Sequence, residues 1–225
     1  MKKNLMIIHT LFAVIFTIFL SKTSFAEPAN LSLLIEEVQV YHDSGTYQKE
    51  VSHVIAQAHD FMINRTKSNA HSAHPEKLAI VLDIDETSLS NYDQMASRHF
   101  GWDKAKAHQD ILAAKAPAIK PMLQFYNEAL KHGVAIFFVT GRPESERAPT
   151  IKNLHRAGYH DWRKLYLKPE HYNKPSVIPF KSQSRAAISQ QGYTIIESIG
   201  DQYSDLKGGH AEKTFKLPNP YYYLH

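Results

Sequence analysis

The chain has 225 residues, of which 43% are hydrophobic and 21% charged, with 26 basic and 22 acidic side chains for a formal net charge of +4. That composition is globular, and the length suits one domain of ordinary size with a small addition. Because there is no cysteine, a disulfide framework, a thiolate nucleophile, a Cys-based zinc site and a bacterial lipoprotein anchor are excluded.

Lys2 and Lys3 precede an apolar run, Leu5 to Leu20, broken only by His9, Thr10 and Thr17. Ser24-Phe25-Ala26 then offers small residues at the two positions a signal peptidase reads. Residues 1–26 are therefore read as a secretory signal peptide, and the mature chain is expected in the periplasm or outside the cell. The apolar core is short for a retained membrane anchor, so no membrane association is expected after cleavage. Lys2, Lys3 and Lys22 leave with the signal and no acid does; 26 less these three gives 23 basic against 22 acidic residues, a net charge of +1. The balance gives no support for a nucleic-acid polymer as partner, which wants a clustered basic footprint.

Residues 28–69 repeat apolar side chains at helical spacing, first Leu31, Leu34, Ile35 and Val38, then Val51, Val54, Ile55, Ala58, Phe61 and Met62, with Gly45 as the break. His53, His59, His71 and His74 fit no zinc spacing and are assigned to surface or packing. A buried strand over 78–83 ends in Asp83-Ile84-Asp85-Glu86-Thr87. Two acids one residue apart at a strand end crowd negative charge on one face, and a divalent metal ion is the simplest positive partner. Residues 88–118, with Tyr92, Phe100, Trp102 and a helix from Asp103 to Lys115, read as a small insertion. A helix over 122–132 follows, closed by Gly133. A second apolar strand, 134–139, ends in Thr140-Gly141-Arg142-Pro143. A helix over 144–157, with a possible break at Pro149, leads to a short strand 165–167. A helix over 180–191, a strand 194–199 ending in Gly200-Asp201, and a last strand 213–217 complete the chain. Strands alternating with helices over 78–217 predict a parallel sheet with helices on both faces.

Parallel strands bring their carboxyl ends to one edge, where ligands of open α/β sheets bind. That edge gathers Asp83, Asp85, Thr140, Asp201 and Asp205, and Lys181 stands at a helix start in the interval between the second and fourth strands. These are the groups phosphoryl transfer uses: a carboxylate that attacks phosphorus, an acid that protonates the leaving oxygen, a hydroxyl and an ammonium for the phosphoryl oxygens, and hard oxygens for Mg²⁺.

Asp83-x-Asp85-x-Thr87, Thr140, Lys181, and Gly200-Asp201 with Asp205 resemble, in order and in context, the four motifs of the haloacid dehalogenase (HAD) phosphohydrolases. Asp85-Glu86-Thr87, Thr140-Gly141-Arg142-Pro143-Glu144, Lys181-Ser182-x-x-Arg185, Gly200-Asp201-x-x-x-Asp205 and Leu217-Pro218-Asn219-Pro220 resemble the class B and class C acid phosphatases and the plant vegetative storage proteins (subfamily IIIB). The resemblance implies an α/β, HAD-like Rossmannoid fold in one domain, 27–225, with N-terminal helices and 88–118 as a small helical cap. It implies Asp83 as nucleophile, Asp85 as general acid/base, and Thr140 and Lys181 as phosphate-binding residues. Mg²⁺ is then held by Asp201, Asp205, a side-chain oxygen of Asp83 and the backbone carbonyl of Asp85. Arg142 serves substrate or a local ion pair.

The expected function is a secreted or periplasmic Mg²⁺-dependent acid phosphatase acting on small phosphomonoesters. The alternatives are a narrower 5′-nucleotidase, with Trp102 and Tyr92 as stacking platforms for a base, and a non-catalytic binding or storage protein on the same fold. Self-association into a homo-oligomer is left open.

Overall fold

The computed structural model describes residues 27–224; the signal peptide expected over 1–26 lies outside the described residues. Two N-terminal helices, α1 (Leu31–Asp43) and α2 (Thr46–Ala70), are separated at Gly45, whose φ of 82° is the left-handed conformation that glycine adopts without steric cost. Strand β1 (Lys77–Leu82) follows, then α3 (Tyr92–Ala96), α4 (Lys104–Ala113) and α5 (Lys120–Lys131). The remainder alternates: β2 (Ala135–Pro143), α6 (Arg147–Arg156), β3 (Lys164–Lys168), α7 (Ile178–Gln190), β4 (Tyr193–Gly200) and β5 (Lys213–Lys216). Pro149 does not interrupt α6. It falls in the first turn, where a backbone N–H has no intrahelical acceptor to lose.

The five strands run parallel in the order β3-β2-β1-β4-β5. The chain builds outward from β1 through β2 to β3, then returns to the other side of β1 for β4 and β5. The order therefore reverses between β1 and β4, which is where a doubly wound sheet opens its ligand crevice. Side chains of β1 alternate between two apolar layers. Leu78, Ile80 and Leu82 join Val51, Ile55 and Met62 of α2 and Met122 and Phe125 of α5 on one face, while Ala79 and Val81 join Ile188 of α7 on the other. Burial on both faces is why this strand reads as an unbroken apolar run.

One irregularity lies in β4. Ala79 pairs with Ile195 but Ile80 pairs with Glu197, so Ile196 is an extra residue. The bulge sets Glu197 opposite Ile80, fully buried.

Candidate active site

Three of the sequence-predicted acids meet at the reversal point. Asp83 follows β1 and its N–H donates to the Ile199 carbonyl at 3.0 Å, which continues the ladder to β4. Asp201 follows β4, and Asp205 closes the short helical turn Tyr203–Asp205. All three are buried, and one carboxylate oxygen from each lies within 4.8 Å of the others. Gly200 makes this possible: a Cβ there would come within 2.2 Å of Asp205 Oδ2.

Lys181 reaches the cluster from the first turn of α7. Its Nζ donates to Asp83 Oδ1 at 2.8 Å and forms a second ion pair with Asp205. Four residues on, Arg185 emerges from the same helical face. Its guanidinium donates to the carbonyls of Asp205 and Gly209, each at 2.8 Å, and of Lys207, so α7 also grips the loop that carries Asp205. Gly208 (φ +91°) lets that loop press on α7, since a Cβ would meet Ser182 at 2.6 Å.

Three buried carboxylates face a single ammonium, and the charges register it. Burial pushes Asp83 well above the usual carboxylate range, and the Asp205 charge adds to this while Lys181 pulls the other way. Burial and Asp205 also raise Asp201, against hydrogen bonds from Asn219 and Gln202. Burial alone would lower Lys181, but Asp205 and Asp83 outweigh it and hold the ammonium firmly charged. A cluster of hard oxygen ligands with surplus negative charge fits a divalent cation such as Mg²⁺ or Ca²⁺.

The motif threonine ties the two loops together. Thr87 Oγ1 donates to Asp201 Oδ1 at 3.1 Å and accepts from the Asp201 N–H at 3.1 Å. Asp201 Oδ2 accepts from Gln202 Nε2 at 2.7 Å and from Asn219 Nδ2 at 2.6 Å.

Asp85 has a different environment. The positive charge expected between Asp83 and Asp85 is supplied in the chain itself by two separate cations, Lys181 on Asp83 and Arg142 on Asp85. Arg142 Nε and an η nitrogen donate to the two Asp85 oxygens at 2.9 and 2.5 Å, and Asn91 Nδ2 donates to Oδ1 at 2.9 Å. The Asp85 carboxylate stands outside the cluster of three. Burial would raise it, but the Arg142 charge and the hydrogen bonds from Arg142 and Asn91 hold it below its ordinary value. Arg142 is itself buried, bracing on Thr150 Oγ1 at 3.1 Å, so the local ion pair is its place in this structure.

Next to Asp85, Glu86 takes φ 52°. Its carboxyl accepts from the Asn91 N–H at 2.6 Å and from the Tyr222 hydroxyl at 3.1 Å. Burial, with the Asp85 charge, pushes Glu86 up to about 8, opposed by Asn91.

Thr140 is fully buried on β2, two residues beyond the Leu82–Phe138 pair, and its Oγ1 accepts from the Arg142 N–H at 3.1 Å. The 88–118 segment leaves and rejoins the body at one point. Ser90 N donates to the Pro117 carbonyl at 2.9 Å and Ile119 N to the Ser88 carbonyl at 3.0 Å. Trp102 lies there 81% exposed. Tyr92 does not offer the open face expected of a base-stacking residue. Its ring is stacked on His42, packed against Phe100 and Tyr221, and its hydroxyl donates to Asp43 at 2.9 Å. It is a packing residue, because the N-terminal helices cover the surface it faces.

The model of HAD superfamily, subfamily IIIB (Acid phosphatase), matches residues 26–225. The chain belongs to this family. It is 38% identical over 148 residues to "Acid phosphatase 1" of Solanum lycopersicum, a match covering 64% of this chain and 58% of that protein. It is 40% identical over 157 residues to "Stem 28 kDa glycoprotein" of Glycine max, covering 67% and 61%. The chain thus spans about three fifths of the length of these curated relatives. The class C acid phosphatase from Bacillus anthracis shares the fold, with a TM-score of 0.66, 23% identity and 86% of each chain covered. Phosphatases of the HAD family use a divalent metal, and in this member the buried Asp83, Asp201 and Asp205 have the donor set for one.

Sequence reasoning left the supporting residues unassigned. Thr87 and Asn219 stood inside quoted motifs without a role, as did Arg185. Asn91 and Tyr222 carry no motif, and only the folded chain brings them to Asp85 and Glu86.

Proposed function

We propose that the chain is a secreted or periplasmic Mg²⁺-dependent acid phosphatase that hydrolyses small phosphomonoesters through an aspartyl-phosphate on Asp83. The observation that carries this reading is the buried packing of Asp83, at the end of the central strand, against Lys181 and within one ligand cluster with Asp201 and Asp205. Secretion rests on the pattern of residues 1–26 and on a family match that begins at residue 26.

In the first step a carboxylate oxygen of Asp83 attacks phosphorus as the P–O bond to the leaving group breaks, and Asp85 gives its proton to the departing oxygen. In the second, Asp85 as carboxylate takes a proton from water, the water oxygen attacks phosphorus, and the P–O bond to Asp83 breaks to release inorganic phosphate. Lys181 and Thr140 hold phosphoryl oxygens through both steps. Asp83, Asp201, Asp205 and the Asp85 backbone carbonyl would hold a divalent cation, which when bound would supply positive charge to the phosphoryl group. Arg142 and Asn91 keep Asp85 ionised, the form the second step needs; acid solution favours the protonated form the first step needs.

An assay with p-nitrophenyl phosphate tests this reading. Turnover that EDTA abolishes and Mg²⁺ restores is expected. Full turnover in metal-free protein contradicts the metal assignment, and no turnover with Mg²⁺ present favours the non-catalytic binding or storage role. Exposure of Trp102 supports a second reading, preference for nucleoside monophosphates.

A further inference from the structure

The C-terminal tail ends on the metal cluster. Leu217 is fully buried and its N–H donates to the Gly200 carbonyl at 2.9 Å, one residue before Asp201. Pro218 and Pro220 flank Asn219 and restrict its backbone. The Asn219 amide is fixed from both ends. Its Oδ1 accepts from the Tyr221 and Tyr222 N–H groups at 2.8 and 3.4 Å, so its Nδ2 faces Asp201 Oδ2, at 2.6 Å. Beyond it, Leu224 N donates at 3.1 Å to Gln202 Oε1, whose Nε2 is the other donor to the same Asp201 oxygen.

We propose that Asn219 is a positioning residue of the metal site: from the tail it holds the Asp201 carboxylate in its ligating orientation, so that affinity for the divalent cation depends on residues 217–224. This rests on the metal reading of the proposed function. A carboxylate that ligates a cation is oriented by hydrogen bonds to its outer lone pairs, and loss of such a partner typically lowers metal affinity about 10- to 100-fold. The arrangement gives Leu217-Pro218-Asn219-Pro220 a physical role: a buried anchor, two stiffening prolines and one amide donor.

The test is calorimetric titration of the full chain with Mg²⁺, without substrate, for wild type, Asn219→Ala, Asn219→Ser and Tyr222→Phe. Asn219→Ala should weaken Mg²⁺ binding by about tenfold or more, while its circular dichroism in EDTA matches that of wild type. Tyr222→Phe, which loses only the hydroxyl on Glu86, should bind Mg²⁺ like wild type. If Asn219→Ala does not fold, Asn219→Ser decides, since its hydroxyl can still accept from the tail N–H groups but is too short to reach Asp201. Unchanged affinity in the folded Asn219 variants overturns the proposal, as does equal weakening in Tyr222→Phe, which would make the tail merely structural. A wild type that takes up no cation overturns the proposal together with the metal reading, and the wild-type titration alone identifies that case.

Discussion

The metal cluster and the 88–118 segment are built on opposite principles. Asp83, Lys181, Asp201 and Asp205 come from three separate places in the chain and are 1 to 6% exposed. Asp83 and Asp205 are held by Lys181 and Asp201 by Thr87, Gln202 and Asn219, with Gly200 and Gly208 shaped to let the parts close. The 88–118 segment is local: two short helices, α4 without a buried residue, left-handed backbone at His99, Phe100 and Ala114, and an indole 81% exposed. Buried charges require every neighbour to be correct, which gives a preorganised site that does not relax during reaction. The part of the segment around Trp102 is exposed, while Asn91, Tyr92 and His108 tie the rest of it to Asp85, Asp43 and Glu146. In the proposed function the first region carries the chemistry and the exposed part of the second the choice of substrate.

Substitutions in each region separate the two roles. Asp83→Asn keeps shape and removes the attacking charge; turnover should fall by roughly three orders of magnitude or more, with the fold intact by circular dichroism. Gly200→Ala places a methyl where Asp205 Oδ2 sits, so calorimetry should show Mg²⁺ affinity lowered about tenfold or more, alongside a stability loss of about 1–3 kcal/mol. Trp102→Ala should raise KM for nucleoside monophosphates about tenfold, since stacking is worth roughly 1–3 kcal/mol per base, and leave glycerol phosphate nearly unchanged. Equal losses on both substrates would remove the division between the regions.

The smallest effect on chemistry is expected away from both, at Glu197. Burial pushes this carboxyl up to about 9, against the pull of Lys213. The folded state therefore holds a proton that the unfolded chain gives up at ordinary carboxylate pH, and stability falls as pH rises from about 4.5 towards 9. Glu197→Gln should flatten that fall in melting temperature without changing turnover at acid pH. An unchanged pH profile would show that the carboxyl is not held neutral.

The central strands were legible because they are buried on both faces. Val134 to Val139 and Leu78 to Leu82 are short apolar runs of the kind a covered parallel strand accommodates. The acids at their ends were legible because parallel strands gather their carboxyl ends at one edge. The packing of Tyr92 was not legible because composition cannot tell an aromatic ring beside a site from one packed under neighbouring helices, and His42 lies fifty residues away in sequence. Arg142 stayed ambiguous because its partner is set by fold geometry. The bulge that buries Glu197 left no mark, since a one-residue register shift is invisible in a strand apolar on both sides.

The central claim is that Asp83 is the residue to which phosphate is transferred. Rapid acid quench during turnover of a phosphomonoester, followed by peptide mass spectrometry, tests it directly. The expected result is a phosphoryl group on Asp83, transient in wild type and absent from Asp83→Asn. Sustained turnover with no phosphorylated peptide, or with the phosphoryl group on another side chain, would contradict it.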